Sequence, residues 1–179
     1  MENNEQVLLA RDVIKYLDAK LIVAEPGVWI DFGPDTDRPG TINDLKNGAF
    51  ECKVCADGAL FIAYMMRKYE ALDCTGNEPL GWRSNVQIET TLEGLFSRDQ
   101  MILIDVAFER GKGYYNYRMF GEEERKQPLT EAFQGQLDRA RDLCDDIEEP
   151  DGDGDAVGAD QRLRKIMNNI IENQGVFTP

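Results

Sequence analysis

The chain has 179 residues, 42% of them hydrophobic, and carries 34 Asp and Glu against 20 Lys and Arg, a formal charge of -14. That length and apolar content suit one domain with a substantial core, while the charge opposes direct contact with nucleic acid or an anionic membrane. Having no histidine, the chain lacks Ser/His/Asp and Cys/His catalysis and the usual neutral-pH proton carrier and metal ligand.

In chain order, Val7, Leu8, Ala10, Ile14, Leu17 and Leu21 recur at helical spacing, with Asp12, Lys15 and Asp18 opposite, and predict an amphipathic helix over about 5–19. The stretch 22–32, with Pro26 and Gly27 before Trp29, reads as a short extended segment whose indole plugs the core. Residues 33–48 hold Pro34, Asp35, Asp37, Pro39, Gly40 and Asn43, which is loop chemistry. Ala59 through Met66 is then an unbroken apolar run inside 56–72, the mark of a helix in the middle of a core. Gly76, Pro79 and Gly81 make 73–85 a second loop.

Met101–Phe108 has the composition of a buried strand, yet Ser97 with Gln100 three residues later is a capping-box signature, and a helix is preferred. Tyr114, Tyr115 and Tyr117 follow Gly111 and Gly113 as a turn with an aromatic surface. Pro128 opens a helix carrying Leu129, Phe133, Leu137, Ala140, Leu143 and Ile147 on one face and ending at Pro150. Leu163, Ile166, Met167, Ile170 and Ile171 stripe the last helix, with Gly175 where a C-terminal cap belongs. The expected fold is mainly α: a single compact domain of about five helices over 1–179, a small β element near Trp29 and Phe50, and mobile loops near 33–48 and 148–160.

Charge is unevenly spread. Residues 131–160 hold eleven acids against Arg139 and Arg141. A helix face bearing Asp138, Asp142, Asp145, Asp146 and Glu149 spaces carboxylates about 5–6 Å apart, near the phosphate interval of a nucleic-acid strand. Such a face could enter a nucleic-acid-binding groove on another protein, or simply keep the protein soluble. The loop after it places carboxylates between two helices, as calcium sites do. Counted from Glu149, the EF-hand positions would be Glu149, Asp151, Asp153, Asp155 through its backbone carbonyl, and Asp160, with Gly154 at the turn. Counted from Asp151, Ala156 falls at the glycine position and Arg162 at the last ligand. The other reading of 149–160 is a solvated acidic linker, needing no cofactor.

Cys52 and Cys55 form a CxxC before the central helix, a pattern of zinc or redox sites as well as of small core residues. Four cysteines and the opening MENNEQ, without a basic and apolar leader, point to a reducing cytoplasm. No run approaches the roughly 20 apolar residues of a membrane span.

Cys55-Ala-Asp-Gly-Ala-Leu60 with a tryptophan upstream, together with Arg162 to Ile171, resembles small proteins of unknown function that recur in bacteriophage and bacterial genomes. The resemblance covers two short segments and implies a phage-type accessory protein in the host cytoplasm, with no catalytic residues to carry over. Three functions are open: an acidic inhibitor or nucleic-acid mimic binding a host or defence protein, a calcium-binding helical module, and a carboxylate enzyme with a divalent metal. Of these, a binding protein fits the missing catalytic chemistry better than an enzyme.

Overall fold

The computed structural model describes residues 4–31, 42–48, 51–71, 90–109, 130–147 and 155–179. Helix α1 (Glu5–Asp18) starts at Asn4, whose side chain accepts from the Gln6 amide and so satisfies one of the helix's open donors. Its apolar face buries Leu9, Val13, Tyr16 and Leu17. Lys20, at φ 53°, turns the chain out of the helix into β1 (Ile22–Ala24).

β1 pairs in parallel with β3 (Cys52–Val54), and β2 (Ile30–Asp31) pairs antiparallel on its other side, giving the order β1-β3-β2. In β1 and β3 the outer residues are buried and the middle one is not, so one face of this small sheet packs inward. α2 (Ile42–Lys46) lies within the stretch expected to be loop from 33 to 48. Its five residues are too few for periodicity to show, and tertiary contact through buried Leu45 holds it.

α3 (Ala56–Ala71) begins two residues after β3 and is buried on nearly every side from Ala56 to Met66, as its apolar run requires. A helical turn at 90–92 brings in Leu92 and Phe96, and α4 (Arg98–Glu109) follows, its Gln100 amide donating to Ser97 Oγ at 3.3 Å. The capping signal therefore decides correctly between helix and strand.

α5 (Glu131–Asp142) starts at Thr130, which accepts from the Phe133 amide at 3.2 Å. It ends eight residues before Pro150, giving way to turns at 143–146. Acids at a helix C-terminus oppose the macrodipole, and Asp142, Asp145 and Asp146 crowd that end. α6 (Asp155–Glu172) stops where Gln174 and Gly175 take positive φ, with the Gly175 amide returning to the Ile170 carbonyl at 2.7 Å.

α1 lies against α6 and α3, α4 packs on α5, α6 and α3, and the sheet leans through β1 on α6 and α1. The result is a mostly helical single domain with a small three-stranded sheet. No helix of the described residues is long and apolar enough to cross a membrane.

Candidate functional site

α5 turns Leu137 and Ala140 into the core, and Asp138 and Asp142, one turn apart, project from the remaining face. Arg141 stands between them, donating to Asp138 and Asp142 at 3.2 Å each. Beyond the helix, Asp145 and Asp146 are exposed. Asp146 accepts from Lys165 of α6 at 2.5 Å, and this hydrogen bond holds its carboxyl below the usual carboxylate range. Arg164 grips Asp160 and reaches Asp18 of α1, at 2.7 Å each.

Four of the five expected surface acids thus lie on one stretch, from Asp138 to Asp146, but the helical spacing that joined them stops at Asp142. Glu149 lies outside the described residues. One of the basic side chains among them, Lys165, comes from α6, 19 residues beyond Asp146. Exposed ion pairs of this kind contribute about 0–1 kcal/mol each and exchange partners readily.

Of the residues expected around a calcium ion, Glu149, Asp151 and Asp153 lie outside the described residues. Asp155 opens α6, and Asp160 sits inside that helix on Arg164, with which a cation would have to compete. Among the described residues no group of three Cys, Asp or Glu side chains could hold a metal ion.

A second set of charges is interior, and sequence reasoning missed it. Asp57, Asp105, Glu109 and Arg162 are all buried. Asp57 stands in the first turn of α3, where the helix dipole favours an anion. Asp105 and Glu109 are one turn apart on α4, and both oxygens of Glu109 accept from the Gly27 amide at 3.0 Å. Arg162 of α6 donates through Nε to the Phe108 carbonyl at 3.0 Å and lies over the Phe108 ring. The available signal was Asp105 itself, a lone acid inside Met101–Phe108.

The CxxC sulfurs belong to the same region. Cys55 immediately precedes α3, its sulfur accepting from the Gly58 amide at 3.4 Å in the manner of a weak N-cap. Burial, and then the charges of Asp57, Asp105 and Glu109, push its thiol well up. Burial with Asp31 nearby pushes Cys52 up to about 12. Thiols held neutral in this way are poor nucleophiles and poor metal ligands. In a Cys74→Ser variant, a disulfide reagent at about pH 8 is expected to label none of Cys52, Cys55 and Cys144 until denaturant is added. Rapid labelling of the native protein would contradict this. Between pH 9 and 12 the unfolded chain sheds protons that the folded one keeps, so stability falls as pH rises through that window.

Comparisons of the chain with protein-family models, with curated proteins and with solved structures return no match.

Proposed function

We propose that the chain is a phage-type accessory protein that acts by binding another protein, presenting Asp138, Asp142, Asp145 and Asp146 to a basic surface. The observation that supports this reading is the exposure of Asp142, Asp145 and Asp146, with Asp138 half-exposed, at and beyond the end of a helix whose other face is packed in the core. Their neighbours Arg141 and Lys165 hold them by exposed ion pairs, which a partner's Lys and Arg can displace at little cost. The partner is then a host or defence protein with a basic groove, of the kind that engages nucleic acid, and the chain blocks it. The chain's own charge of -14 steers it toward such a groove and away from nucleic acid.

The test is capture from a bacterial lysate on the tagged protein, beside a variant with Asp138, Asp142, Asp145 and Asp146 all changed to Asn. The wild type is expected to retain a nucleic-acid-binding protein at low salt and release it at high salt. The variant is expected to retain it about tenfold more weakly, equivalent to 1.4 kcal/mol. Equal retention by the two proteins would sink the reading.

A further inference from the structure

The side-chain amide of an asparagine is open to attack by the main-chain nitrogen of the residue that follows it. Glycine in that second place, having no Cβ, leaves the nitrogen its least obstructed approach. Asn47-Gly48 is the one such pair in the 179 residues. It forms the turn directly behind α2.

Three features of this turn leave the pair open to the reaction. Asn47 and Gly48 are both exposed, so water and hydroxide reach them. Gly48 sits at φ 63°, and a Cβ placed on it would meet no described atom within 4 Å, so no packed neighbour fixes its main chain. The tie on the attacking nitrogen is its hydrogen bond to the Leu45 carbonyl at 3.0 Å, which closes the end of a five-residue helix. Helix ends open at small cost, and a helix this short is held by the burial of Leu45 more than by its own bonds.

Other described asparagines are placed differently. Asn168 and Asn169 lie inside α6, where the next amide is bound in the helical ladder and cannot fold back on its own side chain. Asn4 is engaged with the Gln6 amide and the Gln174 carbonyl, and Asn173 with Asn169. Each of these, and Asn43 in α2, is followed by a residue with a β-carbon.

From this placement we infer that Asn47 is the site at which the protein modifies itself by spontaneous deamidation. The Gly48 nitrogen gives its proton to a base and bonds to Asn47 Cγ. The Cγ–Nδ2 bond breaks, and the side-chain nitrogen takes up a proton and leaves as ammonia, closing a succinimide ring. Water then adds at one of the two ring carbonyl carbons and the C–N bond there breaks. One route gives aspartate, the other isoaspartate, and neither needs an oxidant, a reductant or an enzyme. Both products add one negative charge to the chain's -14. Isoaspartate also lengthens the main chain by a methylene group beside the bond to Leu45.

The experiment incubates the full native chain at physiological temperature, at neutral and at mildly alkaline pH, and follows its peptides by mass spectrometry. The peptide holding Asn47 is expected to gain the mass of an amide-to-acid change at least about tenfold faster than any other asparagine peptide, a ratio equal to about 1.4 kcal/mol of barrier. Its rate should rise with pH, and its product should separate into two forms, of which an isoaspartyl methyltransferase labels one. Asn47→Gln is expected to abolish the fast conversion. Conversion led by another asparagine would overturn the assignment. So would an Asn47 that converts only in denaturant, since the Leu45 bond would then be shielding the pair.

Discussion

Gly58→Ala is expected to lower the melting temperature by about 10 °C or more, the change expected of about 3 kcal/mol in a protein of this size. Gly58 lies in the first turn of α3, where the helix passes directly over the backbone of Trp29. A Cβ there would fall inside the contact distance of the Trp29 carbonyl oxygen and press on Cγ1 of Ile30 at 3.2 Å. The obstacle is main chain, so no side-chain rotation relieves it. The Trp29 carbonyl would have to withdraw, giving up its bond from the Cys55 amide at 3.4 Å and loosening the pairing of Ile30 with Val54. Gly94→Ala is the matching control, since its added Cβ meets nothing nearer than the Thr91 carbonyl at 3.7 Å. Thermal unfolding followed by circular dichroism checks both. A Gly58→Ala protein melting within about 2 °C of wild type would show that β2 and α3 can part without loss.

The same junction shows what the sequence discloses and what it hides. α1, α3 and α6 follow from the spacing of their apolar residues, and α4 from the Ser97 cap, because each signal lies within one helix. The parallel pairing of β1 with β3 is different: its partners Ile22 and Cys52 are joined only through space, and neither strand exceeds three residues. The small β element was expected near Trp29 and Phe50; its strand order was not. Gly58 gave no sign of its close approach, since a glycine in a helix reads as a weak position until the neighbouring backbone is known.

The acidic edge divides in the same way. Asp138 and Asp142 are legible as one helical face, but Lys165 reaches Asp146 from α6, and spacing along 131–149 cannot reveal it. The interior charges were hidden by the apolar residues around them. Every residue of α4 from Met101 to Glu109 is buried, so an apolar reading of that run is right for its packing and wrong for Asp105 and Glu109. Buried charges persist where other groups meet them, and the group that meets Glu109 is the Gly27 amide, far from it in the sequence.

Arg162→Met is therefore expected to cost about 3–5 kcal/mol, the range for removing one member of a buried charged set, and to lower the melting temperature by about 10 °C. Methionine fills much of the same space, so the loss measures the guanidinium more than a cavity. Phe108 is next to last in α4, where carbonyls have no partner within the helix. In a buried position such a carbonyl needs an outside donor, and Arg162 Nε supplies it from α6. The guanidinium also lies 5.8 Å from the Phe108 ring centroid, an attraction that strengthens away from water. Among the described residues Arg162 is the one buried cation, against the three buried acids Asp57, Asp105 and Glu109, so its loss leaves the interior net more negative. Arg162→Lys separates these contributions. It keeps the charge but lacks the planar fork and its stacking, so its melting temperature should fall between those of the wild type and Arg162→Met. If Arg162→Met melts within about 3 °C of wild type, the interior charges do not hold α4 to α6. If lysine restores nothing, geometry rather than charge makes that contact.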